Sequence, residues 1–176
     1  ALTDADFNIA IGYAALTSDT LGSRSTAVGY LALEDQNFTT TTNTYNVAVG
    51  HSAGKNITTG VQNTLIGGLA GDALTDADYN VAIGYASLTA DTLGSKSTAI
   101  GVGTLESQNF TTATDSFNTA AGYTAGLSVT TGTNNTLIGA LAGDALTSAV
   151  RNVAVGKGAL SSDTLGNANV AIGEDA

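Results

Sequence analysis

Along this chain the apolar residues fall in bursts of three, each bracketed by a polar residue and a glycine, and the bursts return at fixed intervals. The unit reads Asn or Ser, then Val, Ile or Thr, then Ala or Leu, then Ile, Val or Ala, then Gly. It occurs ten times, ending at Gly12, Gly29, Gly50, Gly67, Gly84, Gly101, Gly122, Gly139, Gly156 and Gly173. Successive intervals are 17, 21, 17 and 17 residues before the order begins again, so four units make a super-repeat of 72 residues. In that phase the segment ALTDADFN at Ala1 returns as ALTDADYN at Ala73.

A burst rich in Val and Ile between turn-forming residues predicts a short β-strand. Second glycines at Gly22, Gly60, Gly94, Gly132 and Gly166 lie ten residues after the first and mark a second fixed corner. A 17-residue period with two glycine corners predicts one turn of a parallel β-solenoid. A helical hairpin repeat needs about 33 residues or more. The expected fold is all-β, a single array over residues 1–176 with about nine to ten coils of 17 or 21 residues, and the chain reads as a fragment of a longer protein.

Both faces of each strand are apolar, so both are expected to be covered. Alternation places Ile9/Ile11, Val47/Val49, Val81/Ile83, Val153/Val155 and Val170/Ile172 on one face, taken as the coil's own narrow core. The middle residues then face outward: Ala10, Ala27, Ala48, Leu65, Ala82, Ala99, Ala120, Leu137, Ala154 and Ala171. Small side chains there suit close approach of a neighbouring chain, so this column is the expected interface between copies. A coil this short buries too little apolar surface to offset the entropy of ordering its backbone, and stacking plus association are expected to make up the difference.

Composition narrows the chemistry. Zero cysteines exclude disulfides and thiolate sites, and no apolar stretch approaches the roughly 20 residues of a membrane span, so no direct membrane insertion is expected. Fifteen acidic against five basic residues give a net charge of −10, which repels nucleic acid and anionic membranes as partners.

The repeated NIAIG, STAVG, NVAVG and NVAIG strands, with Ala-Leu or Ala-Gly shortly after most of them, resemble the head repeats of YadA-type trimeric autotransporter adhesins; similar repeats occur in phage tail fibres. The resemblance runs from Asn8 to Gly173. It implies a left-handed β-roll, three copies around one axis, and an extracellular location on a bacterial surface or a virion tail fibre. It also implies attachment to a host or cell-surface protein or glycan. The coils here are longer than the family's usual repeat, and no stalk, neck or anchor accompanies them.

The four-residue insertions of the 21-residue coils are the regular departure from the lattice. They bring Gln36, Asn37, Phe38 and Thr39, then Gln108, Asn109, Phe110 and Thr111, to one face as candidate receptor contacts. The competing reading packs each Phe under its own loop. Asp4/Asp6 and Asp76/Asp78 offer oxygens to a hard cation, but the third copy reads Ser148-Ala149-Val150, and a solvated acidic corner is the simpler reading. The asparagines that open most units are expected to stack as a hydrogen-bonded ladder. Tyr13, Tyr30, Tyr85 and Tyr123 share their position with His51 and Lys157, which points to partial exposure. Nothing pairs a nucleophile with a base, or two carboxylates in a cleft. A non-enzymatic protein without cofactor or metal is expected. Its rivals are a pure spacer and an ice-binding solenoid with threonine ladders.

Overall fold

The computed structural model describes residues 3–176; Ala1 and Leu2, where the first copy of the super-repeat begins, lie outside the described residues. Ten three-residue strands, from Ile9–Ile11 to Val170–Ile172, form one parallel sheet in strict chain order. Every step keeps the same register: Ala10 pairs with Ala27, Ala27 with Ala48, and Ala48 with Leu65. The chain is therefore a β-solenoid of about ten turns, without a helix among the described residues. Two further parallel pairs, Gly22–Ser23 with Thr42–Asn43 and Gly94–Ser95 with Thr114–Asp115, flank the insertions and tie the 21-residue coils to the coils before them.

The corners use left-handed backbone at residues other than glycine. The residue before each motif Asn or Ser (Phe7, Arg24, Tyr45) has φ near +60°, and so do the residues two and four places after the motif glycine (Ala86, Leu88). Such conformations cost of order 1 kcal/mol or more each and persist only where the surroundings hold them. Here hydrogen bonds between coils do so: the Leu31 amide donates to the Tyr13 carbonyl and the Leu33 amide to the Ala53 carbonyl. The motif glycine has no such latitude. Gly84 sits at φ +136°, and a Cβ there would lie 2.3 Å from the carbonyl oxygen of Gly101 in the next coil.

The core corrects the expected in–out assignment of the strands. Ala27, Ala48, Leu65, Ala82, Ala99, Ala120, Leu137 and Ala154 are fully buried inside their own chain, while Val81 and Ile83 point outward and are half-buried. Ala10 is exposed and Ala171 partly buried because each lies in an end coil with a neighbour on one side only. The reason is width. Across the coil the strand faces Leu33, Leu88 or Leu105, and a position that meets a leucine from the opposite wall has room only for alanine. Where the opposite wall carries Gly54 and Gly71, or Gly126 and Gly143, the strand supplies Leu65 or Leu137 in compensation. The remaining wall alternates by pairs of coils, with buried Asp19 and Gln36, then Ile57 and Leu74, then Asp91 and Gln108, then Val129 and Leu146.

Candidate functional site

The outward side of the sheet presents two columns. One reads Ile9, Thr26, Val47, Thr64, Val81, Thr98, Thr119, Thr136, Val153, Val170; the other reads Ile11, Val28, Val49, Ile66, Ile83, Ile100, Ala121, Ile138, Val155, Ile172. No charged residue interrupts them, and Ile66 and Ile100 are 38% and 43% exposed. With neighbouring strands about 4.8 Å apart, the strip is roughly 45 Å long.

A ladder runs along each edge of this strip. After the strand come Tyr13, Tyr30 and His51, their rings stacked at centroid separations of 5.3 and 5.0 Å. Before the strand come Phe7, Arg24, Tyr45, Gln62, Tyr79, Lys96, Phe117, Asn134 and Arg151. In this second ladder the Arg24 guanidinium lies 5.0 Å from the Phe7 ring centroid and 5.8 Å from that of Tyr45, and the Lys96 ammonium 5.4 Å from that of Phe117. Sequence reasoning passed over this ladder, although its signal is plain: an aromatic, basic or amide residue precedes nearly every motif Asn or Ser. The edges are also matched. Coils with a ring before the strand have one after it (Phe7 with Tyr13, Tyr45 with His51, Tyr79 with Tyr85, Phe117 with Tyr123), whereas of the coils without one only that of Arg24 has a ring, Tyr30.

The candidate receptor-contact residues divide. Gln36 and Gln108 are fully buried, and Phe38 and Phe110 are 6% exposed, so these four lie beneath the surface instead of on it. Asn37, Thr39, Asn109 and Thr111 are exposed. The glutamines do structural work for which the spacing gave no sign. The Gln108 amide donates to Asp91 Oδ2 at 2.6 Å and to Ser97 Oγ at 2.8 Å, and its oxygen accepts from Asn118 Nδ2 at 2.8 Å. Ser97 and Ser116 share a short hydroxyl contact. Gln36 binds Asp19, Ser25 and Asn46 in the same way, so each insertion is anchored by one copy of a buried polar network.

Burial raises the pKa of Asp91 above its ordinary value of 3.8, against the opposing pull of Gln108 and of the Phe110 and Gly94 amides. A raised folded-state pKa means that the contribution of this group to stability is complete below the unfolded value and is lost as pH rises through the folded one. Gln108→Ala removes a donor from the carboxylate and a partner from Asn118, and is expected to cost about 3 kcal/mol near neutral pH. Urea midpoints measured from pH 4 to 8 should fall more steeply in the variant than in the parent; parallel curves would contradict this account.

The asparagine ladder is present. Asn46 Oδ1 accepts the Asn63 amide, Asn63 Oδ1 that of Asn80 and Asn135 Oδ1 that of Asn152, at 2.9–3.0 Å. Each side-chain amide also donates to a carbonyl of its own coil, as Asn63 does to Ala77 at 2.7 Å. The acidic corner is engaged internally: Asp76 accepts the Thr59 hydroxyl and Asp78 the Val61 amide. Among the described residues no group of three His, Cys, Asp or Glu is placed to hold a metal ion, and no helix is long and apolar enough to cross a membrane. Comparison with family models, curated proteins and solved structures found no match to this chain.

Proposed function

We propose that this segment is a non-enzymatic adhesive head of a homotrimeric extracellular protein, attaching a bacterial surface to a host or cell-surface protein or glycan. The observation that carries the proposal is the uncharged two-column strip on the outer side of the sheet. Few monomeric proteins leave so long an apolar surface open to water. Three copies turned toward a common axis cover it and leave the insertion loops, with Asn37, Thr39, Asn109 and Thr111, on the outside. A viral tail fibre uses the same arrangement as a shaft. Light scattering is expected to give three times the 17.4 kDa chain mass. Ile66→Lys/Ile100→Lys, which places charge on the strip without touching the core, is expected to give single chains that remain folded by circular dichroism; a monomeric parent would defeat the proposal. Attachment to cells is expected to fall when both insertions are shortened by four residues, and unchanged attachment would reduce the segment to a spacer.

One observation favours a second reading. Thr26, Thr64, Thr98, Thr119 and Thr136 lie on this outward strip and not in the core, so a row of hydroxyl and methyl groups, interrupted by Val47 and Val81, lies on the outer side of the isolated chain. An ice-binding solenoid presents such an array. Thermal hysteresis decides between them, with none expected for the adhesive head.

A further inference from the structure

We infer that the two edge ladders are the lateral contacts between copies, each coil's leading edge meeting the trailing edge of the same coil in the next copy. The inference rests on the proposed homotrimer and adds the pairing of its surfaces. Within one chain, the residue before a strand and the residue six places later are separated by the strand itself, roughly 15–20 Å at about 3.3 Å per residue. Tyr79 and Tyr85 therefore make no contact that explains why a ring at one edge accompanies a ring at the other. The match persists while ring identity changes, from Phe7 with Tyr13 to Tyr79 with Tyr85 one super-repeat later. Contact between copies supplies the explanation.

Symmetry fixes the level. A closed ring of identical chains around an axis along the solenoid permits rotation but no displacement along that axis. Each leading edge then faces the trailing edge at its own height. Ring edge meets ring edge in four coils, Arg24 meets the rim of Tyr30, whose two faces Tyr13 and His51 cover, Lys96 meets Val102, and the longer side chains of Gln62 and Asn134 meet the small Gly68 and Ala140; only Arg151 with Lys157 brings like charges together. A sugar chain is a poorer occupant, because the ring faces are already taken along the ladder: Tyr13 lies on Tyr30, and Arg24 lies over Phe7 and Tyr45.

The absence of cysteine makes the test direct. Asn134→Cys/Ala140→Cys, oxidised under non-denaturing conditions, is expected to give chains linked in twos and threes on a denaturing gel. Gln62→Cys/Ala140→Cys, whose thiols sit four coils or about 19 Å apart along the axis, is expected to stay unlinked. Trimers by light scattering without linkage in the same-coil pair, or equal linkage in both pairs, would overturn the edge assignment and leave the homotrimer standing. A parent chain that scatters as a single copy removes both.

Discussion

Gly84→Ala is expected to be the most damaging single substitution in the chain. The residue sits at φ +136°, where an L side chain is strained whatever space surrounds it. A methyl there lands 2.3 Å from a backbone oxygen, which is held by the next coil and has no side-chain freedom to move aside. The same geometry recurs above and below, with Gly67 against the Gly84 oxygen at 2.5 Å and Gly101 against the Gly122 oxygen at 2.2 Å, so relief in one coil transfers the clash to another. A loss of about 4 kcal/mol or more is expected, seen as a lower urea midpoint or a failure to fold. Gly68→Ala is the matched control: its Cβ meets only the Tyr85 ring, at 3.5 Å. Its midpoint should change little, and similar losses for the two variants would refute the close-approach explanation.

Leu65→Ala is expected to cost about 3 kcal/mol through the cavity it leaves. The site offers a sharper test because its neighbours show the alternative packing. Most coils with Ala in the strand carry Leu on the opposite wall, as Ala82 and Leu88 do; Leu65 instead fills the space over Gly71 in its own coil and Gly54 in the coil before it. Gly71→Leu alone overpacks, since even a Cβ at Gly71 lies 2.9 Å from Leu65 Cδ2 and 2.7 Å from Leu74 Cδ1. The backbone itself accepts leucine, because Gly71 at φ +55° matches Leu88 at +53°. The double variant Leu65→Ala/Gly71→Leu should therefore be at least about 2 kcal/mol more stable than the sum of the single effects predicts. Simple additivity in urea unfolding would show that the two positions do not share one space.

The architecture was legible because it is written in spacing. Ten motif glycines at 17 or 21 residues fix coil length, strand position and register, and the parallel sheet follows them residue by residue. The direction of the side chains was not legible in the same way. Period-2 alternation separates Val81 and Ile83 from Ala82 but leaves open which set faces inward, and size is a misleading guide in a coil whose opposite wall brings its own leucines. The complement of Leu65 with Gly54 and Gly71 was visible in the sequence as Ala-Gly replacing Ala-Leu, but only after the coil's width was known. For the candidate contact loops the limit was different. Gln36 and Phe38 look like surface residues in a Thr-rich stretch, and their burial depends on partners 10–17 residues away, Asp19, Ser25 and Asn46, that no local pattern brings together. The ladder before the strand was overlooked because its members differ chemically, from Phe to Arg to Gln, and share only a left-handed corner.

The hydrogen bonds that join the coils point along the long axis of the molecule. A pull on the two ends of a tethered chain therefore loads these bonds one coil at a time. A released coil of 17 residues lengthens from a rise of about 4.8 Å to roughly 55 Å of extended chain. Such a segment yields under tension in repeated steps of roughly 50 Å, one for each coil released.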